Sequence, residues 1–358
     1  MVNTLQRSPK IDDILAETRL AMQKKMFQKV TTTGVDLDSV YSQTLQQIKE
    51  QKRDRRRLGM KVLMWLSHAK RPLRIDELCH ALAVDVEATD LDPKNIRPQD
   101  TVLGSCLGLA FVDKKTSTVR PIHDTLQKYL SRPGILPGAH QMLGETCLAY
   151  LNYDQIKRLP VNEAGDLGQI PFLEYSSFYW VAHAKIELSD RAENLALELL
   201  NQYENHISFK KFWSSDYPKP RSPLTCLHFA SEVGIDALVA ALIETKSYDI
   251  NREDSRGCTP LMHAVKNKNY GVVKLLLTCD GVDPDKPENS LFGKTPLQWA
   301  IKHKDVEIVR LLVQGGANPY KEDNDGQTPF MLASSTLWGN RQMVALFQPQ
   351  PITISDLD

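Results

Sequence analysis

The chain has 358 residues, enough for two or three domains, and its 44 Lys and Arg residues balance its 44 Asp and Glu residues. A formal charge of zero gives no global attraction to nucleic acid or to an anionic membrane. The six cysteines form no C-x-x-C pair, the first residues lack the apolar core of a signal peptide, and no apolar run approaches the roughly 20 residues of a spanning helix. We therefore expect a reduced, intracellular, soluble protein.

The N-terminal residues 1–37 are mostly polar and contain one candidate helix, over residues 11–30. After them, apolar residues recur at rough helical spacing over residues 38–66, on both sides of a charged run. The following segment predicts a helix with acidic residues in its first turn, near Asp76, where the helix dipole favours them. We expect an acidic, polar loop over residues 85–99.

The next stretch predicts a helix around residues 101–107, two short strands at 109–112 and 117–121, and a further helix over 124–130. Three helices with a small hairpin of strands describe a winged helix.

Several short motifs of this half follow one another in a defined order. They are Tyr41–Leu45, Val62–Leu66, Arg71–Leu73, Asp76–Leu78, Cys106–Leu109, His123–Leu130, Pro171–Tyr175 and Trp180–Ala184. Together they resemble the winged-helix module, and the helical element after it, of fungal NACHT-type, NLR-like proteins. The module is named after a GPI inositol-deacylase. In that family it packs against a nucleotide-binding domain and helps to set its resting state.

The C-terminal third repeats one pattern four times, and each copy begins with a threonine: Thr225, Thr259, Thr295 and Thr328. The threonines are 34, 36 and 33 residues apart, and an alanine follows each by five positions. Thr is a good helix N-cap and Pro suits the first helical position, so each copy predicts a helix followed by a second apolar helix. One such unit cannot bury its own apolar face, so the copies must stack. Tight turns are predicted two residues before the last three threonines, at Gly257, Gly293 and Gly326.

This period and the T-P-L-H-x-A pattern resemble the ankyrin repeat. The signature histidine occurs only at His228, and Cys226 replaces the proline of the first repeat. Extra residues within 280–292 predict a reshaped hairpin, and the Pro-rich end at 348–351 is consistent with a terminal cap. Taken with the winged helix, the resemblance covers about residues 38–346.

The same resemblance implies a nucleotide-binding NACHT domain upstream, yet only about 37 residues precede the match. No G-x-x-x-x-G-K-[ST] motif occurs, since the tempting Gly293-Lys294-Thr295 has Glu288 where the first glycine is required. Without that glycine, backbone N–H groups cannot close around phosphates. We therefore expect no nucleotide and no other cofactor.

The charged run at residues 52–57 could serve nuclear import or nucleic-acid binding, but Asp54 interrupts it, which favours a solvated helix face. The helix predicted at 101–107 has no Arg or Lys to contact phosphates or guanine, which favours protein contacts over DNA.

Catalytic and metal sites are not predicted. His123-Asp124 and Cys79-His80 are lone adjacent pairs, and the spacing of the nine histidines fits no metal site. In residues 280–285 the acidic residues stand at unsuitable positions for a calcium loop, and the glycine that such a loop requires at its sixth position is absent. His228 is expected to hydrogen-bond within its repeat.

Ankyrin stacks present their hairpin tips and first helices along one concave face, and the resemblance maps the usual contact positions onto this chain. They are Ser255, Arg256, Cys258, Lys266 and Asn267 in the second repeat, Leu291, Phe292, Lys294, Lys302 and His303 in the third, and Asn324, Asp325, Gln327, Ser335 and Thr336 in the fourth. Leu291 and Phe292 would form an apolar anchor with polar neighbours. Alternatively, Phe292 folds back onto its own loop. Trp299 stands at a position that is more often core than contact.

These observations predict a mostly α protein with five segments. They are an N-terminal remnant (1–37), a winged-helix domain (38–135), a helical connector (136–221), about four ankyrin repeats (222–348) and a tail (349–358). The predicted function is a non-enzymatic scaffold or adaptor, a shortened NLR-like signalling protein of the cytoplasm or nucleus that binds a protein partner. Three alternatives remain open: a nuclear, DNA-associated regulator that uses the winged helix, a fragment of a longer NACHT nucleotide hydrolase, and an accessory ankyrin protein encoded beside metabolic genes.

Overall fold

The computed structural model of the protein describes residues 37–159, 170–203, 205–209, 224–245, 248–335 and 341–347. The candidate helix at 11–30 lies outside these residues. By its internal contacts the chain divides into two compact units, residues 1–188 and residues 189–358. The described residues are mostly helical, as predicted, and their strands form one two-stranded sheet.

The first unit begins with a winged helix. Its elements are α1 (Leu37–Glu50), α2 (Arg53–His68), α3 (Ile75–Ala83), α4 (Gln99–Gly104), β1 (Ala110–Val112), β2 (Val119–Pro121) and α5 (Asp124–Leu130). The two strands are antiparallel, with Phe111 opposite Arg120, and an isolated bridge joins Arg74 to Thr118 beside them. In the described residues after the winged helix lie the helices α6 (Ala139–Leu151), α7 (Asp154–Lys157) and α8 (Leu173–Ala184).

The helix that the sequence predicts at 101–107 begins earlier, at Gln99, and ends earlier, at Gly104, with Ser105 as its C-cap. Leu107 and Gly108 adopt left-handed conformations, with φ of 48° and 82°, which turn the chain into β1. The helix predicted at 124–130 is confirmed at both ends.

The core of the winged helix is organised around α2. Val62, Leu63 and Trp65 are fully buried, and α2 packs against α1, α3, α4, α5 and α6. Gly59 allows the close approach of α4, because a Cβ atom there would lie 2.6 Å from the carbonyl oxygen of Ser105. A larger residue at this position would separate the two helices.

A buried carboxylate fixes the start of α3. Glu77 is fully buried, and its two oxygens accept hydrogen bonds of 2.8 Å from the two terminal nitrogens of Arg71. The backbone N–H of Arg74 donates to the same carboxylate at 2.7 Å. A buried charge is tolerated only when it is paired and hydrogen-bonded, and here both conditions are met.

The second unit contains the repeats. Among its described residues it includes the helices α9 (Asp190–Leu200), α10 (Cys226–Val233), α11 (Asp236–Glu244), α12 (Pro260–Lys266), α13 (Tyr270–Leu277), α14 (Pro296–Lys302), α15 (Val306–Gln314), α16 (Pro329–Ser334) and α17 (Arg341–Leu346). The first helices of the repeats (α10, α12, α14, α16) pack on one another, and so do the second helices (α11, α13, α15, α17). We call them inner and outer helices. In addition, α9 packs against α11, so a helix joins the stack ahead of the first repeat.

The sequence rules for the repeats are confirmed. Each of the four threonines is an N-cap whose side-chain oxygen accepts the N–H three residues later. The predicted turn glycines have φ of 70°, 60° and 73°. Leu261 and Leu297 are buried, as are the four alanines, while Phe330 is half-buried. The domain boundaries given above stay predictions.

Candidate partner-binding surface

The hairpin tips of the repeats are joined by backbone hydrogen bonds. The N–H of Asn289 donates to the carbonyl of Arg256 at 2.6 Å, and the N–H of Asn324 donates to that of Phe292 at 2.9 Å. The side chain of Asn324 adds a bond of 3.1 Å to the carbonyl of Leu291. The three predicted contact hairpins therefore form one continuous edge, and Asn324 helps to hold it.

The tip of the third hairpin is apolar and exposed. Leu291 is 90% exposed and Phe292 is 50% exposed. The ammonium of Lys294 lies 5.0 Å from the centroid of the Phe292 ring, a cation–π contact that orients the ring without covering it. Phe292 therefore combines the two predicted alternatives, since the ring contacts its own loop and still faces solvent.

Two predicted contact residues point inward instead. Lys294 is buried, and its ammonium lies 3.2 Å from the fully buried carboxylate of Asp323. Cys258 is also buried. Both residues stand directly before an N-cap threonine, and their side chains fill the space between repeats. Thr336 lies outside the described residues.

The remaining predicted contacts stay at the surface. Arg256, Asn267, Asn324, Asp325 and Gln327 are exposed. Ser255, Lys266, Lys302, His303 and Ser335 are half-buried.

Trp299, at a position expected to be more often core than contact, is half-buried and lies against two of the predicted contact lysines. The half-buried indole has the ammonium of Lys266 at 4.5 Å and that of Lys302 at 5.0 Å from its ring centroid. His303 packs edge to face on it at 5.5 Å. The sequence feature that could have indicated this contact is the pair Lys266 and Lys302, which stand one repeat apart at the same position relative to their N-cap threonines.

Asp254, Cys258 and His263 each offer one ligand atom, and these atoms lie within 4.8 Å of one another. The ammonium of Lys266 lies 3.2 Å from the Cys258 sulfur and 2.6 Å from Glu288, so a cation already occupies this neighbourhood. Burial raises the pKa of Cys258 to about 11, which keeps the thiol protonated. We assign the cluster to packing between repeats.

His228 does more than the predicted hydrogen bonding within its repeat. Its Nδ1 lies 2.8 Å from the Thr225 hydroxyl, and its Nε2 lies 3.0 Å from the carbonyl of Arg252 and 3.1 Å from that of Cys258. One imidazole therefore links the first repeat to the hairpin of the second.

The residues of the winged helix that the sequence singled out lie at the ends of helices. The short helix α4 contains no Lys or Arg. In the charged run, Arg55 donates to the carbonyl of Gly104 at 2.9 Å and so caps the end of α4. His123 is the N-cap of α5, where its ring accepts the N–H of Thr125. These residues have structural roles at the ends of helices.

None of the helices in the described segments is both long enough and apolar enough to cross a lipid bilayer.

Comparison with known proteins agrees with this geometry. The profile of the GPI inositol-deacylase winged helix domain matches residues 45–136, and the profile of ankyrin repeats, in three copies, matches residues 192–288 and 281–356. The "Azaphilone pigments biosynthesis cluster protein L" of Monascus ruber is 24% identical over 283 residues, which are 68% of this chain and 59% of that protein. The aligned part thus spans less than two thirds of the relative. The chain carries a winged helix domain of the GPI inositol-deacylase type followed by ankyrin repeats.

Proposed function

We propose that the chain is a non-enzymatic scaffold or adaptor that binds a protein partner along the hairpin tips and inner helices of its repeats. The exposed Leu291–Phe292 tip is the observation that carries the proposal. An apolar tip with Arg256 and Asn324 on the neighbouring hairpins has the composition of an interface hot spot. The hydrogen bonds between hairpins fix the backbone in advance, which lowers the entropy lost on binding.

More specifically, we propose that the chain has an NLR-like signalling role in the cytoplasm or nucleus. In this role the winged helix contacts protein rather than DNA. The absence of basic residues from α4 and the use of Arg55 to cap that helix support protein contacts.

The Ser67–His68 pair illustrates why we do not propose a hydrolase. The Ser67 oxygen lies 2.6 Å from His68 Nδ1, a distance seen in nucleophile–base pairs. However, Ser67 is buried on α2 and its hydroxyl also lies 2.7 Å from the carbonyl of Leu63, to which it can donate. A side chain committed to its own helix is a poor nucleophile.

Site-specific photo-crosslinking in cells of the native host tests the proposal. A photoreactive phenylalanine analogue in place of Leu291 should give one discrete adduct with another protein. The same analogue in place of Lys274, which is exposed on the outer helix α13, is the matched control and should not.

Two substitutions sharpen this experiment. Phe292→Ala and Arg256→Ala should each reduce the adduct formed at position 291 without lowering the melting temperature. Equal adducts at positions 291 and 274, or an adduct that neither substitution weakens, would show that the hairpin tips are not the binding surface.

The Monascus ruber relative supports one more specific candidate. Its printed name places it in a pigment biosynthesis cluster, so the partner of this chain could be a protein encoded beside metabolic genes. Deletion of the gene should then change the output of a neighbouring pathway, and restoring a Phe292→Ala form should fail to rescue it. Full rescue by the Phe292→Ala form would show that a role in the pathway does not depend on the hairpin tip.

A further inference from the structure

Four lysines lie at the C-terminal ends of two neighbouring inner helices. Lys266 is the last residue of α12 and Lys268 lies two residues after it. Lys302 and Lys304 occupy the equivalent positions at the end of α14. Each lysine lies 36 positions from its counterpart, the same interval that separates Thr259 from Thr295. The two repeats therefore present the same pair of positive charges side by side.

The backbone at two of these lysines is in a conformation that favours glycine. Lys268 and Lys304 have φ of 57° and 55°. The equivalent residue of the first repeat is Gly234, with φ of 69°. Glycine adopts this left-handed conformation without the steric cost that a Cβ atom brings, and it is the usual residue just after a helix. Two adjacent repeats thus keep a lysine where glycine would be less strained.

Trp299 holds two of the ammonium groups in place. The ammonium nitrogens of Lys266 and Lys302 lie 4.5 Å and 5.0 Å from the centroid of its ring. Cation–π contacts restrict the long side chains, so less rotamer entropy is lost when an anion binds to them. The indole is itself only half-buried, which leaves apolar surface between the charges.

The nearby carboxylates neutralise this surface only in part. Glu288 pairs with Lys266 at 2.6 Å, and Asp305 lies 4.0 Å from Lys268. Asp305 is buried, and the hydroxyl of Tyr270 and the N–H of Ile308 also donate to it. The side chain of Lys268 remains half exposed, at 51%. The excess charge is also felt by His303, whose pKa is lowered by burial and then by Lys268 and Lys302.

We propose that the lysine surface, made of Lys266, Lys268, Trp299, Lys302 and Lys304, docks an acidic segment of the protein partner. Carboxylates of that segment would meet the ammonium groups, and an apolar side chain between them would contact the indole. This inference rests on the proposed function and names the chemistry of the partner at one part of the same surface.

A protein segment fits the charges better than nucleic acid does. Phosphate contacts along a duplex require an extended row of positive charge, whereas Glu288 and Asp305 interrupt this one. The four cations are all lysines, so the surface lacks the planar guanidinium that reads guanine or clamps phosphate in a bidentate manner.

Fluorescence anisotropy of the full chain with a labelled oligo-glutamate peptide that carries one central leucine tests the proposal. The peptide should bind at low ionic strength and release as salt screens the charges. A matched oligo-glutamine peptide should not bind. The double variant Lys268→Gly/Lys304→Gly should bind the acidic peptide about tenfold more weakly, since two exposed charges are lost. Trp299→Leu should weaken binding as well.

The same double variant separates binding from folding. Because glycine relieves the left-handed strain, its melting temperature should equal or exceed that of the parent chain. The control Lys274→Gln/Arg310→Gln removes two positive charges from the outer helices and should leave peptide binding unchanged.

Three results would overturn the proposal. They are parent-like binding by Lys268→Gly/Lys304→Gly, an equal loss in the outer-helix control, and binding of labelled duplex DNA without binding of the acidic peptide. A cellular partner that crosslinks at position 291 but tolerates Lys268→Gly/Lys304→Gly would also overturn it, while the proposed function would stand.

Discussion

The rings of His228 and His263 lie edge to face with their centroids 5.4 Å apart, yet their surroundings shift the two pKa values in opposite directions. Burial, followed by the nearby charge of His263, lowers the pKa of His228 to about 4. Burial also opposes the charging of His263, but hydrogen bonds to Asp254 and Glu232, at 3.0 Å and 3.2 Å, outweigh it and raise its pKa. One histidine of the pair is therefore neutral and the other favours the charged form.

His228 should make the repeats sensitive to acid. Its folded-state pKa lies below the ordinary value of 6.5, so the unfolded chain takes up the proton first as pH falls. The resulting loss of stability runs from about pH 6.5 to about pH 4 and amounts to roughly 2 to 3 kcal/mol. Urea unfolding across this window should show a shallower decline for His228→Gln than for the parent chain.

Glutamine is the appropriate replacement because the third repeat already uses it at the equivalent position. There the side-chain nitrogen of Gln298 donates to the carbonyl of Gln327 at 2.7 Å. His228→Ala should instead lose about 2 kcal/mol at neutral pH, since the carbonyls of Arg252 and Cys258 lose their donor. A parallel pH decline in the parent and in His228→Gln would contradict this role.

His263 should act in the opposite pH window. Since its folded-state pKa is raised above the ordinary value, its contribution to stability is complete below that value and is lost as pH rises through the folded pKa. Stability of the parent chain should therefore fall as pH rises above the ordinary value of 6.5 and through the folded-state pKa. His263→Gln should abolish this part of the decline while leaving the acid limb in place. An unchanged alkaline limb would show that the imidazole is not charged between its two carboxylates.

The contact between α2 and α4 provides a prediction for the winged helix. Gly59→Ala places a Cβ atom 2.6 Å from the carbonyl oxygen of Ser105, which is backbone and cannot easily move. The expected loss is about 1 to 3 kcal/mol in the free energy of unfolding. Gly104→Ala is the matched control on α4, where the nearest atom is the flexible end of Arg55 at 3.5 Å. There the better helix propensity of alanine should stabilise the chain, by up to about 1 kcal/mol. Equal effects of the two substitutions would argue against the close approach.

The sequence predicts the repeats well because the caps, turns and buried positions of each repeat are set by residues close to one another in sequence. The N-cap threonines, the turn glycines and the buried alanines all follow from residues within one unit, as at Thr259, Gly257 and Ala264. The C-terminal end of α4 was less predictable, because the chain turns left-handed after it at Leu107 and because Arg55 caps it from another helix.

The side-chain positions in the candidate partner-binding surface could be predicted only in outline, for a related physical reason. Sequence position indicates which residues lie near an edge, but it does not show where a long side chain points. Lys294 and Lys302 were equivalent candidates, yet the first pairs with Asp323 inside the stack and the second lies over Trp299. When the partner of a charged or aromatic side chain belongs to the next repeat, the pattern of a single repeat does not reveal it.

Lys294 should therefore behave as a structural residue. Lys294→Met leaves the fully buried carboxylate of Asp323 without its cation, which should cost about 2 to 3 kcal/mol in the free energy of unfolding. Gln327→Met, at the equivalent exposed position of the fourth repeat, should change stability by less than about 0.5 kcal/mol. The double variant Lys294→Met/Asp323→Asn should regain part of the loss, because the uncompensated charge is gone. If Lys294→Met instead weakened crosslinking at position 291 with no change in stability, the lysine would be a partner contact after all.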